Sequence, residues 1–485
     1  MKDIVRTRFA PSPTGYMHIG NLRTALYTFL YAKHNDGKFI LRIEDTDQNR
    51  FVEGAIEVIY NTLKATNLIH DEGPDKDGGY GPYIQSERKD IYKKYALELV
   101  EKGYAYFCFC KHEENEDSDA PITFGYNRHC RNLTKEEIQE KLKTHSYCIR
   151  QKMPLTGTTT FYDELFGEIT VDNSSLDDQI LLKSDGMPTY NFANVVDDHL
   201  MNITHVMRGK EYISSTPKYQ LLYEAFGWTP PKTVHLSVIM GQNPDGSVSK
   251  LSKRHGAVSF AQLVEDGYLI DAILNYIALL GWSPRQEREI FSLQELIEIF
   301  DIEGLNKSDA VFDYKKLDWM NSEYIKKMDF GAFFEYSQKF ITNLPEFVKE
   351  KWQFVATLVQ SRIDKFTSIE HILKFLWNYT DFNLDLLLNK KNKTTLESSL
   401  KVIEDCLPKL KELHTWTNVE INNLISEYCE NQEIKLGFAM WPLRIAVSAQ
   451  TITPGGTGEI MYILGKEESL KRLEHTKNRL LAEIK

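Results

Sequence analysis

The stretch Arg8–Asn21, RFAPSPTGYMHIGN, constrains this chain more than any other. Before it, Ile4–Phe9 is β-capable with apolar residues at alternate positions; after Gly20, Leu22, Ala25, Leu26, Phe29 and Leu30 recur at the spacing of one helix face. Pro11, Pro13 and Gly15 stop both patterns, because proline lacks the N–H that a ladder or helix needs and glycine relaxes the backbone limits. A strand, a short loop and a helix start suit anionic phosphates, since first-turn N–H groups are unpaired and the helix dipole is positive there. His18 and Gly20 stand at that junction. An ordinary βα turn with a surface histidine fits the same pattern, so the stretch alone leaves both readings open.

The 485 residues suffice for several domains. No run approaches the length of a membrane-spanning segment and the N-terminus has no signal-peptide apolar core, which predicts a cytoplasmic protein without a membrane partner. The net charge of −11 argues against a nonspecific nucleic-acid binder, which is usually basic, but leaves room for a local positive face toward one RNA. Six cysteines in this length are no disulfide framework, yet four fall between Cys108 and Cys148 and ask for a local explanation.

Along the chain, Phe39–Ile43 reads as a strand entering the polar corner Glu44–Asp47, a helix is expected from about Phe51, and Gly, Pro, Asp and Tyr make a loop of 71–86 before a helix over Glu87–Glu101. These are βα units of a mostly parallel sheet. Residues 104–185 change character: short β-like pieces (Tyr104–Phe109, Tyr147–Met153, Thr158–Asp163) alternate with polar segments, including the acidic run Glu113–Asp119, as in an inserted α+β domain. The α/β pattern resumes with strands near Ile203–Met207 and Thr233–Val238, separated by a helix with Pro217 in its first turn, and a glycine-bearing loop, Gly241–Gly246, leads into SKLSKRHG. From Ser259 onward no strand is expected; amphipathic helices run from Glu323 to Lys485, with Leu386–Thr395 a solvated loop. The predicted class is an α/β parallel sheet with an α+β insertion, followed by an all-α region.

Three polar stretches are expected as loops at strand ends, where ligands collect in α/β sheets. They are Arg8–Asn21, then Asn191–Arg208 with Asn194, Asp197, Asp198, His199, His205 and Arg208, then Lys250–His255 with Lys250, Lys253 and Arg254. Cations opposite a helix N-terminus suit a charged pentavalent phosphorus centre, and a solvated basic turn is the plainer alternative. In the insertion, Cys108, Cys110, Tyr126 and Cys130 make a CxC and a YxxxC. Thiolates favour tetrahedral Zn²⁺, though unliganded thiols in a reducing compartment fit as well.

RFAPSPTG with HIGN, LRIEDTD (41–47), PTYNFANVVDDHL (188–200), THVMRG (204–209) and KLSKR (250–254) occur in this order, and over essentially its whole length the chain resembles the bacterial-type glutamyl-tRNA synthetases of the class I aminoacyl-tRNA synthetase family. HIGN stands in the place of that family's HIGH signature and KLSKR in the place of KMSKS; Asn21 departs from the pattern and leaves one phosphate-contacting group unassigned. The resemblance implies a Rossmann-like catalytic domain over 1–103 and 186–322 with a stem-contact region after about 240, an acceptor-binding insertion over 104–185, and a helical anticodon-binding region over 323–485 dividing near 380.

It further implies ATP-dependent ligation of L-glutamate to the terminal adenosine of tRNA(Glu) through a glutamyl-adenylate, by a monomer, with Mg²⁺ on the ATP. His18, Lys250 and Lys253 would be catalytic, and His18, Gly20, Asn21, Lys253 and Arg254 would hold ATP. Glutamate would lie among Arg8, Ser12, Glu44, Tyr190, Asn194 and Arg208: Arg8 on the side-chain carboxylate with Tyr190 and Asn194, Glu44 on the α-amino group. Cys108, Cys110, Tyr126 and Cys130 correspond to a structural Zn²⁺ site of some relatives, with His129 or Cys148 as alternatives to Tyr126. Gln360, Ser361 and Arg362, on a loop or helix start, are expected to face the anticodon, with Lys435 and Arg444 on RNA backbone or bracing helices. Two rivals stand beside this reading: an enzyme that also charges the glutamine tRNA, and a catalytically silent tRNA-binding relative.

Overall fold

The prolines after Phe9 end a strand, β1 (Arg6–Phe9), whose side chains are all buried. The structure is a computed structural model that describes residues 4–50, 52–110, 126, 128–256 and 259–484. After the loop comes helix α1 (Ile19–His34), which buries Ile19, Leu22, Ala25, Leu26 and Phe29 at the expected spacing. Strand β2 (Lys38–Leu41) returns parallel to β1 with Arg8 opposite Ile40. Helix α2 (Ala55–Ala65) begins after the left-handed Gly54, later than expected, and Phe51 lies outside the described residues.

The chain continues through α3 (Lys89–Glu101), β3 (Ala105–Cys108), α4 (Lys135–Thr144), β4 (Cys148–Gln151), β5 (Thr158–Asp163), β6 (Gly167–Asp172), β7 (Ile180–Leu182), α5 (Tyr190–Leu200), β8 (His205–Gly209), α6 (Thr216–Phe226) and β9 (Lys232–Leu236). A six-stranded sheet runs β2-β1-β8-β9-β5-β6, parallel except for the β5–β6 hairpin. Residues 104–185 are therefore divided. β3, β4 and β7 form their own antiparallel sheet, whereas β5 and β6 extend the main sheet beside β9. The alternation of exposed and buried side chains along Thr158–Asp163 gives that hairpin one face to lay on the core. The acidic run Glu113–Asp119 lies outside the described residues.

Two loop expectations are corrected. Asn191–Arg208 is mostly regular: Phe192, Val195 and Val196 supply a buried helical face, so Asn194, Asp197, Asp198 and His199 ride on α5 while His205 and Arg208 ride on β8. Likewise Gly241 and Gln242 belong to β10 (Ile239–Gln242), which forms a hairpin with β11 (Val248–Lys250). After α7 (Phe260–Glu265), α8 (Ile270–Ala278) and α9 (Leu293–Ile299), a strand does appear beyond Ser259: β12 (Ala310–Phe312) pairs with β10, Val311 opposite Met240. Three residues are too few for a period to show in sequence. Helix α10 (Tyr314–Lys327) follows.

The residues divide into two compact units, Met1–Glu265 with Ile270–Leu317, and Asp266–Leu269 with Asp318–Lys485. The second is helical around fully buried Val355, Ile369, Ile403, Leu443 and Ile463. Within it Arg472 donates to the carbonyls of Phe375, Leu376 and Val447, which pairs otherwise orphaned carbonyls at helix ends. Among the described residues no helix is long and apolar enough to cross a membrane.

Candidate active site

At the carboxyl ends of β1 and β2 the chain buries three arginines against three carboxylates, Arg8, Arg42 and Arg88 against Glu44, Asp197 and Asp198. Arg42 donates to Glu44 and to Asp198, each at 2.8 Å; Arg88 donates to Asp197 at 2.7 Å, where Tyr92 (2.8 Å) and Gln85 (2.9 Å) also donate. Charges this deep persist only when paired and hydrogen-bonded. Burial works against the Asp198 carboxylate, but Arg8 and Arg42 hold its pKa below the ordinary value. Arg8 spends only Nε on this network, 3.1 Å from Asp198 Oδ1, and its two terminal nitrogens have no partner among the described residues. Asp47, the neighbour that could have absorbed it, does not pair with it.

Arg8 opens onto a cavity of about 380 Å³, which Ser12, His18, Gly20, Asn21, Glu44, Tyr190, Arg208 and Lys250 also line. Stretches far apart in sequence thus meet at one place. His18 is the N-cap of α1: its Nδ1 accepts the Gly20 N–H at 3.0 Å. That bond leaves Nε2 to carry the proton, and it takes the Gly20 N–H out of use for a ligand. Burial and the charge of Lys250 push the His18 pKa below the ordinary value, so the ring is neutral at pH 7. Lys250 is exposed at the rim, 3.8 Å from Glu211. Arg208 is half wrapped: Nε donates to His235 at 3.2 Å, Nη2 to Thr216 at 3.3 Å, and its guanidinium lies 4.6 Å from the Tyr219 ring.

Other expected residues are placed differently. Asn194 is buried one turn after Tyr190, donates to the Tyr190 carbonyl at 2.9 Å, and lines an adjoining cavity of about 200 Å³ that shares Arg208. Arg254 donates to Ser249 at 2.7 Å and is not among the residues lining the first cavity. The side chain of Lys253 lies outside the described residues.

Sequence reasoning missed His255. Its Nδ1 accepts the Ser252 N–H at 3.0 Å and its Nε2 donates to Asn243 at 3.0 Å, which closes the Lys250–His255 turn onto the β10–β11 hairpin. Arg42 and His235 were missed as well. Their one signal is a charged or polar residue in the middle of an apolar strand, in FILRI and TVHLSV.

In the small sheet, the sulfurs of Cys108, Cys110 and Cys130 lie within 4.8 Å of one another, with Cys110 and Cys130 3.6 Å apart. Tetrahedral Zn–S bonds of about 2.3 Å place sulfurs roughly 3.8 Å apart, so this donor set fits Zn²⁺. The Tyr126 hydroxyl is 3.2 Å from Cys108 and 4.0 Å from Cys110, and the Arg150 guanidinium lies 3.9 Å from its ring. Hydrogen bonding from Cys148 and Tyr126 draws the Cys108 thiol well below its ordinary pKa, whereas burial pushes the Cys110 thiol and the Tyr126 hydroxyl up.

In the helical unit, Gln360 follows the end of the helix Trp352–Val359 rather than starting one, and its amide is committed to the carbonyls of Ile325 (3.1 Å) and Met328 (2.8 Å). Ser361 and Arg362 line a cavity of about 620 Å³ with His371, Lys374 and Gln450. Arg444 donates to the Thr451 carbonyl at 3.0 Å, lies 5.0 Å from the Trp441 ring, and lines a separate cavity. Lys435 is exposed at the N-cap of the helix Leu436–Ser448.

A parallel sheet whose first crossover carries a proline-bounded HIGN loop, with KLSKR reaching the same cavity, is class I synthetase architecture, and residues 4–319 match the family described as tRNA synthetases class I (E and Q), catalytic domain. Residues 314–477 match the family described as anticodon binding domain. The chain is similar to the glutamate–tRNA ligase of Clostridium kluyveri, 53% identical over 97% of each chain, and to that of Clostridium novyi, 54% identical over 97% of this chain and 96% of the relative. A crystal structure of a glutamate–tRNA ligase from Elizabethkingia meningosepticum in complex with its amino acid is 35% identical, with a TM-score of 0.84 over 99% of this chain and 100% of that one. The chain belongs to the bacterial-type glutamyl-tRNA synthetases.

Proposed function

We propose that this chain ligates L-glutamate to the 3′-terminal adenosine of tRNA(Glu), using ATP and passing through glutamyl-adenylate. The observation that carries the reading is one cavity lined both by two arginines with unspent N–H groups and by the N-terminus of α1. Guanidinium groups only donate, so Arg8 and Arg208 suit both oxygens of a carboxylate, whereas a carboxamide would turn its own N–H₂ against them. Glu44 gives Oε1 to Arg42 and keeps Oε2 without a partner among the described residues, which suits the α-ammonium of the substrate.

A carboxylate oxygen of the substrate's α-carboxyl group attacks the α-phosphorus of ATP and pyrophosphate leaves; a hydroxyl of the terminal adenosine then takes the acyl group and AMP leaves. His18 Nε2–H and Lys250 face the polyphosphate, and Lys253 shares the cationic role on the strength of its place in KLSKR. Catalysis here is positioning and charge stabilisation, with no protein nucleophile. Mg²⁺, when bound to the nucleotide, screens its phosphates.

The stretch 104–185 serves the acceptor end of the tRNA and 323–485 its anticodon, where Arg362, on an open cavity, is the better placed candidate than Gln360, whose amide is already spent. Cys108, Cys110, Cys130 and Tyr126 would hold a structural Zn²⁺ that ties β3 to the segment before α4. Charging assays with glutamate and glutamine against separate glutamate and glutamine tRNAs test the function. Glutamate on tRNA(Glu) is the expected product; glutamate on both tRNAs would make the enzyme nondiscriminating, and no charging at all would favour a silent tRNA-binding protein.

A further inference from the structure

We propose that Asp163 and His235 form a buried positioning pair that holds Arg208 as a one-sided donor toward the glutamate substrate. The inference rests on the glutamate reading above and adds two residues to it. β8 and β9 pair in parallel with Arg208 opposite His235, and β9 meets β5 with Thr233 opposite Asp163. Three strands thereby bring three side chains into line.

Asp163 is fully buried where the β5–β6 hairpin turns. Its Oδ1 accepts the backbone N–H groups of Leu165 (3.0 Å) and Phe166 (2.8 Å); its Oδ2 accepts the backbone N–H of His235 (3.0 Å) and His235 Nδ1–H (2.7 Å). Three of these donors are backbone N–H groups, and both Asp163 oxygens act as acceptors. The proton of His235 therefore sits on Nδ1, and Nε2 is left bare to accept from Arg208 Nε at 3.2 Å. Burial lowers the His235 pKa in spite of Asp163, with Arg208 adding to the lowering, so the ring stays neutral. The opposite tautomer or the imidazolium would point an N–H at the guanidinium.

The remaining groups around Arg208 complete the clamp. Nη2 donates to Thr216 Oγ1, which donates to the Tyr212 carbonyl at 2.9 Å and also lies 3.3 Å from His235 Nε2. The guanidinium lies 4.6 Å from the Tyr219 ring and 5.4 Å from that of Tyr212. Nη1 alone has no partner among the described residues, on a side chain that lines the 380 Å³ cavity. Packing does not call for this arrangement, since an apolar residue at 235 would fill space but leave Nε as an unpaired buried donor. A long arginine side chain held on one side reaches its substrate with little freedom left to lose.

The test compares His235→Leu and His235→Gln in charging of tRNA(Glu), with separate KM values for glutamate and ATP, kcat, and the melting temperature. His235→Leu is expected to raise the glutamate KM about 10- to 100-fold, the loss of one hydrogen bond to a charged group. ATP KM and kcat should stay within about threefold, which a general loss of structure would not produce. Glutamine offers both a donor and an acceptor at this position, so His235→Gln should keep the glutamate KM within about threefold of the parent. An unchanged glutamate KM in His235→Leu, or an equal rise for glutamate and ATP, would overturn the pair's role. Should the leucine variant fail to fold, a normally melting His235→Gln with a glutamate KM raised more than about tenfold does the same. A parent enzyme that charges no glutamate would remove the functional reading itself, which the variants alone cannot do.

Discussion

Arg8 is the residue at which recognition and stability separate most cleanly. Its Nε is 3.1 Å from Asp198, yet Asp198 keeps Arg42 at 2.8 Å when Arg8 is lost, so the buried carboxylate is not orphaned. Arg8→Leu should therefore raise the glutamate KM about 10- to 100-fold, the worth of charge-assisted hydrogen bonds, while melting only slightly earlier than the parent. Steady-state kinetics and a thermal scan check the two halves separately; an unchanged glutamate KM would sink the assignment. Arg8 entered the expected pocket through the family resemblance of RFAPSPTG, not through its own chemistry. Its pairing was not legible: Asp198 is remote in sequence, and only the docking of α5 beside β1 and β2 brings the two together. Asn194 is a different case. Its residue type suits a pocket, but its place on the buried face of α5 turns its amide onto the Tyr190 carbonyl.

At the scale of elements, the β10–β11 hairpin carries the KLSKR turn, and His255 pins one to the other. An added Cβ on Gly241 would lie 2.5 Å from the His255 ring, closer than real contacts allow. Gly241→Ala should displace that ring and with it the turn, so that ATP KM rises and kcat falls by about tenfold or more while the glutamate KM holds. Equal kinetics in the variant would show the turn to be held by something else. The same hairpin marks where sequence reading stopped. Glycines near 241–246 look like a loop, and the three residues of β12 carry no period; register with a remote strand makes both into sheet. Long helices such as α1 were readable because a buried face repeats many times. The small sheet offers a metal test: purified protein should hold about one equivalent of zinc, and less than about a tenth would defeat the site. Chelation should lower its melting temperature without changing the glutamate KM.

For the whole molecule, buried and half-buried histidines set a pH dependence whose sign can be worked out. His18, His199, His205 and His235 all belong to the first unit, and burial lowers the pKa of each, that of His205 to about 4. Below the ordinary histidine value of about 6.5 the unfolded chain binds protons that the folded chain refuses, so stability falls with pH. For His205 the loss grows from about 6.5 and stops growing only near its folded value of about 4. Asp198 adds nothing in that window: its pKa is depressed, so its contribution survives until pH falls below the ordinary carboxylate range. Glu44, whose pKa burial raises, gains as pH falls and offsets part of the loss, but it is one group against four. The thermal transition that glutamate and ATP shift upward identifies the first unit. Between pH 7 and pH 5 its midpoint should drop by several degrees, roughly what a loss of a kcal/mol or two produces in a unit of this size. A midpoint that holds or rises over that interval would mean that these histidines gain their protons in the folded state and that their pKa values are not lowered.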